Sequence, residues 1–150
     1  MLAAQYSEYT KDVTSIRLNT VEKPTPSNGE VLIRVHAAAA NPVDFMVMQG
    51  NFKAMPGWTI PFPSTLGYDL AGVVESDASG TFNSGDRVFA VNWDTPNGDA
   101  FAEYALVPAS KLSKLPDSVI FEQGAAVALV GPLLIRFSSS VPTSPLDLKY

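Results

Sequence analysis

Apolar and polar residues alternate through Val31-Leu32-Ile33-Arg34-Val35-His36-Ala37: Val31, Ile33, Val35 and Ala37 fall on one side, Arg34 and His36 on the other. A period of two predicts a strand with one buried face. His36 is expected on its exposed side. Met1 to Tyr6 reads as a short edge strand, and 72–75, 86–91 and 100–107 as further strands set off by turn residues. Residues 7–30 are polar and include Pro24 and Pro26, which remove main-chain donors and argue against a helix. Asn28-Gly29 then predicts a turn. Several short strands with little helix predict a mainly β domain with short helices, a partly open β-barrel.

Two helical segments interrupt this pattern. Asn41-Pro42-Val43-Asp44 offers an N-cap residue, a proline for the first helical position and an acid facing free amides, and Gly50 ends the helix. Val43, Met46 and Val47 share one face, with Phe45 and Met48 opposite, so this helix needs two partners or a cleft to line. Residues 51–64 hold Pro56, Gly57, Pro61 and Pro63 and read as a surface loop. Residues 118–130 carry helical signals that Gly124 weakens. From Gly131 the pattern is lost, and 131–150, rich in serine and proline, reads as a disordered or non-native tail.

The 150 residues suit one domain, and 46% apolar with 17% charged residues marks a globular chain. A net charge of −5 without a basic cluster disfavours nucleic acid and anionic membrane as partners. With no cysteine there is no disulfide or thiolate metal site, and one histidine leaves any zinc site to carboxylates. The longest apolar run, 124–135, is twelve residues; a membrane span needs about 20. The N-terminus has no basic region followed by an apolar stretch, so the reading is cytoplasmic.

Five phrases carry a family resemblance: Gly29-Glu30-Val31-Leu32-Ile33-Arg34-Val35, Asn41-Pro42-Val43-Asp44 with Gly50, Leu66-Gly67-Tyr68-Asp69-Leu70-Ala71-Gly72-Val73-Val74, Gly85-Asp86-Arg87-Val88-Phe89 and Ala100-Phe101-Ala102-Glu103-Tyr104. In this order and spacing, residues 1–130 resemble the GroES-like catalytic domain of the zinc-independent medium-chain dehydrogenase/reductases, the quinone and enoyl reductases. Asn41 falls where zinc-dependent relatives place a ligand Cys, and Tyr68 where they place a ligand His. The resemblance therefore implies metal-free chemistry: NADPH-dependent reduction of a quinone, an enone or an enoyl group. It implies that Asn41, Pro42, Val43 and Asp44 lie against the nicotinamide end of NADPH. It also makes Tyr68 a candidate donor to a developing enolate and Asp44 a candidate orienting group. Asn41 serves equally as an N-cap, Asp44 as a helix-terminus acid and Tyr68 as a barrel residue. Asp69, the neighbour of Tyr68, is expected to face the other way, and Glu103 and Tyr104 are expected to be structural.

The family's second half is a Rossmann domain whose glycine-rich turn binds the dinucleotide. No such turn is visible here, so the resemblance implies a truncated catalytic domain with weak NADPH binding and little activity alone. Val127, Leu129 and Val130, which the second domain would cover, are expected to lie exposed or to fold back on the tail. The change at Gly131 suggests a shifted reading frame, a retained intron or a misplaced exon end. Alternatives are a non-catalytic interaction module that associates with a full-length relative, or a gene-model artefact.

Overall fold

A computed structural model of the chain describes residues 1–93 and 97–131. Its strands are β1 (Leu2–Tyr6), β2 (Arg17–Thr20), β3 (Glu30–Ala39), β4 (Ser64–Thr65), β5 (Asp69–Asp77), β6 (Arg87–Val91), β7 (Tyr104–Pro108) and β8 (Ser113–Lys114). The helices are α1 (Pro42–Met48) and α2 (Phe121–Val127). One sheet runs β7-β3-β5-β6-β8 and the other β2-β1-β4, with antiparallel pairing throughout. Ala3 bridges Ala102, and Ala4 N donates to Phe101 O at 2.8 Å, joining the sheets at one corner. They do not close into a barrel, as expected for a partly open GroES-like fold. No Rossmann unit occurs among the described residues.

The alternation of β3 becomes a core because its neighbours supply matching faces. Val31 and Ile33 meet Leu70, Val74, Val88 and Val107 in one aliphatic cluster with no appreciable exposure. Full burial of such side chains contributes about 1.5–3 kcal/mol each. Leu32 is buried as well, so the strand is covered on both faces there, not one. Irregular pairing at Leu32/Ile33 and Val35/Ala37 then bends β3 before it enters α1.

Several expectations are corrected. β1 is the middle strand of its sheet, not an edge. Its partner β2 lies within the segment read only as polar: Leu18 is exposed and Asn19 is the half-buried position, so no apolar alternation marks it. Main-chain pairing holds it, aided by Asn19 Nδ2 donating to Gln5 Oε1 at 3.1 Å. In α1, Val47 and Met48 turn inward and Phe45 and Met46 outward, because 3.6-residue spacing aligns Val47 and Met48 with Asp44. Gly124 is no defect in α2: a Cβ there would lie 2.8 Å from Leu115 Cδ1, so the missing side chain lets the helix seat closely. The tail expectation falls, from residue 132 onward, outside the described residues. Among the described residues no helix is long and apolar enough to cross a membrane.

Candidate active site

The bent end of β3 delivers Asn41 to the N-cap of α1. Asn41 N donates to Asp44 Oδ2 at 2.6 Å, and Asp44 N donates to the Asn41 carbonyl at 3.0 Å, closing the first turn. Pro42 is exposed at the first helical position, and half-buried Val43 packs toward the cluster of Tyr6, Val47 and Met48. Asp44 is only 5% exposed. Burial pushes its carboxyl up; the Asn41 hydrogen bond opposes this and the nearby Asp69 charge adds to it.

The Asn41 side chain turns to β5 instead of solvent. Its Nδ2 donates to Asp69 Oδ2 at 3.0 Å, and Asp69 is 0% exposed. Burial pushes the Asp69 carboxyl up, opposed by Asn41 and by the main-chain N–H of Leu129 beyond α2. The Oδ1 atoms of Asp44 and Asp69 have no hydrogen-bond partner among the described residues. Two buried carboxyls thus hold one residue, Asp44 at the Asn41 main-chain N–H and Asp69 at its side-chain amide. Tyr68 parts company with its neighbour and enters the aromatic cluster, its ring 4.9 Å from Trp93, which packs on Trp58 and Phe52. It is 1% exposed, and burial holds its hydroxyl well above the ordinary phenol range, reinforced by Tyr6, Asp44 and Asp99.

A strap from Asn97 to Phe101 closes over the Gly67 turn. Ala100 N donates to Gly67 O at 3.0 Å and Phe101 N to Leu66 O at 2.9 Å. Gly67 has φ 92°, and a Cβ there would lie 2.4 Å from the Phe101 ring, so only glycine fits. Within the strap Asp99 adopts φ 58°, and burial pushes its carboxyl up to about 6.

The structure therefore brings Asn41 and Asp44 together with Asp69, and sets Tyr68 behind them in the wall. Asp69 and Asp99 were missed as site residues. For Asp69 a signal existed: the unbroken small and apolar run Leu70-Ala71-Gly72-Val73-Val74 marks a strand covered on both faces, where an aspartate at its start has no solvent side. His36 is exposed as expected, yet its ring stacks on Phe121 at 4.5 Å. Glu103 accepts from Leu2 N at 2.7 Å, and Tyr104 lies under Lys23 Nζ at 3.9 Å, both tying strands together.

Beside Asn41 and Asp44 opens a slot of about 150 Å³, walled by Phe45, Met48, Leu66 and Phe101. A half-buried amide next to an apolar wall suits an aromatic ring that carries an amide, as nicotinamide does. Among the described residues no glycine-rich turn opens a helix. Nor do three His, Cys, Asp or Glu side chains converge as a metal site among them.

The profile of the alcohol dehydrogenase GroES-like domain matches residues 27–117. The chain belongs to the medium-chain dehydrogenase/reductases, as their GroES-like domain. It is 40% identical over 108 residues to human quinone oxidoreductase, covering 71% of this chain and 31% of that protein. Pseudomonas syringae quinone oxidoreductase superposes with a TM-score of 0.79 at 30% identity, over 96% of this chain and 42% of that one. A mycobacterial relative, solved in complex with NADPH, gives 0.79 and 30%, over 96% of this chain and 41% of that one. This GroES-like chain thus spans about a third to two fifths of the length of the relatives it matches.

Proposed function

We propose that the chain is the catalytic-domain half of an NADPH-dependent, metal-independent oxidoreductase that reduces quinones or carbonyl-conjugated double bonds. A nucleotide-binding domain, in the same polypeptide or another, completes the site. The observation that carries this reading is the Asn41 amide, anchored by Asp69 beside an apolar slot, within a domain whose matched relatives are quinone oxidoreductases.

When bound, NADPH supplies the hydride. Asn41 then sets the pose of the nicotinamide end, with Pro42 and Val43 shaping the turn beneath it. Asp44 closes that turn. Burial pushes the Asp44 carboxyl up and leaves it an orienting group for the turn, while the Tyr68 hydroxyl, raised by its own burial, keeps its proton and acts as a hydrogen-bond donor to a developing enolate, not as the acid that protonates it. A quinone or enone suits such a site because it is already electrophilic, and orientation with electrostatics does most of the remaining work. A cytoplasmic setting belongs to the same reading.

A second reading is favoured by one observation. Ile120, Val127 and Val130 are 56%, 46% and 42% exposed and line the outer side of the α2 segment. Such a stripe suits an interaction module that docks on a full-length relative. The test is NADPH consumption, followed at the reduced nicotinamide absorbance with a panel of quinones and enones. The chain alone is expected to give little turnover. Steady oxidation above a protein-free control would refute the need for a second domain. Co-purification with a full-length relative, without oxidation, would favour the interaction module.

A further inference from the structure

We propose that Asp69 is the positioning residue for Asn41: its buried carboxylate decides which side of the Asn41 amide faces the cleft. The inference rests on the reading above, in which Asn41 meets the nicotinamide end of the cofactor. Asn41 Nδ2 donates to Asp69 Oδ2 at 3.0 Å. A carboxylate can only accept, so it captures the NH2 side and turns Oδ1 away from β5. Nothing in the shape of an amide enforces this choice, because its oxygen and nitrogen are nearly the same size. Only the chemistry of the partner does.

Asp69 is itself held fast. It is fully buried at the start of β5, paired across the sheet to Ala39 on β3 and Val91 on β6. The Leu129 main-chain N–H, past the end of α2, lies on the same carboxyl. The cap of α1, the start of β5 and the end of α2 therefore meet on one side chain. Asp44 on α1 is the other carboxyl facing this group. A strand end with a purely structural duty has no need of a buried carboxylate whose Oδ1 goes unpartnered.

The test is the side-chain NH2 resonances of Asn41 in the full 150-residue chain, compared among wild type, Asp69→Asn and Asp69→Leu. Wild type is expected to show one pair. In Asp69→Asn the new amide can donate or accept, so two pairs or exchange broadening are expected. In Asp69→Leu a single averaged pair is expected, with proton exchange at least about tenfold faster, as for a group freed from a protected bond. Backbone spectra report folding, and if Asp69→Leu does not fold, the near-isosteric Asp69→Asn still decides. Asn41 resonances unchanged by either variant in a folded chain would overturn the proposal. NADPH, titrated to the high concentration that weak binding by this domain alone requires, is expected to shift the Asn41 pair in wild type and to shift it less in Asp69→Leu. If NADPH moves nothing while the variants still release the amide, the positioning role of Asp69 stands and the proposed cofactor contact falls.

Discussion

Strand β5 carries an aspartate at each end, and the two occupy opposite environments. Asp77 organises a turn: Oδ1 accepts from Ser79 N at 2.6 Å, and Oδ2 from Thr81 N at 2.8 Å and Phe82 N at 2.7 Å. Hydrogen bonds from Ser79, then Phe82, hold its carboxyl down at about 2. Asp69 is fully buried, keeps one oxygen without a partner and is pushed up by that burial. One end of the strand spends a carboxylate on stability, where every donor is used. The other end keeps a carboxylate where stability alone would place a neutral residue. Strain of this kind is the usual mark of a site.

Two such different ends require a rigid strand between them. Leu70 follows Asp69 directly and is fully buried in the aliphatic cluster. Leu70→Ala is therefore expected to cost about 2–5 kcal/mol in chemical denaturation; a near-neutral result would mean that β5 is not the scaffold described. Asp69→Asn is the sharper test. Removing a buried, incompletely bonded carboxylate is expected to raise stability at neutral pH by about 1 kcal/mol, even as Asn41 loses its fixed partner. A large loss instead would place Asp69 among the stabilising acids, with Asp77.

The pH dependence separates the two ends by sign. A carboxyl raised by folding favours the native state at low pH, and that contribution is lost as pH rises. Asp69 and Asp44 follow this direction, and for Asp99, raised to about 6, the loss falls between about pH 4 and 6. Asp99→Asn is expected to flatten that decline in thermal melts and to raise the neutral-pH Tm. Asp77 runs the other way: its contribution is present above about pH 4 and is lost as pH falls toward 2. Asp77→Asn is expected to have the smallest effect, a modest loss of stability at pH 7 that fades toward pH 2; an effect of equal size at pH 7 and pH 2 would remove the contrast.

Most of the scaffold was legible from alternation and turn residues. Val31, Ile33 and Val35 announced β3, and Asn41-Pro42-Val43-Asp44 announced α1, because caps and periods are local signals. β2 was hidden because main-chain pairing and an Asn–Gln bond, not apolar burial, hold it. The central position of β1 was hidden for the same reason. At the site, Asn41 and Asp44 were visible as a capping pair. The hold of Asp69 on Asn41 was not, since it joins residues 28 apart across a bend in β3. Strict alternation also argued that Asp69 faces away from the site. Asp99 depends on the strap folding over Gly67, a long-range contact that no local pattern encodes.

In the proposed reaction Asn41, held beside the slot, works with a separately supplied nucleotide domain. The direct measurement joins residues 1–130 to the nucleotide-binding domain of a matched quinone oxidoreductase and follows NADPH oxidation by a quinone. Turnover well above either half alone is expected, with Asn41→Ala lowering kcat/KM by about 10- to 100-fold, as for loss of one positioning contact. A folded chimera that binds NADPH yet reduces no quinone or enone, or one indifferent to Asn41→Ala, would contradict the claim.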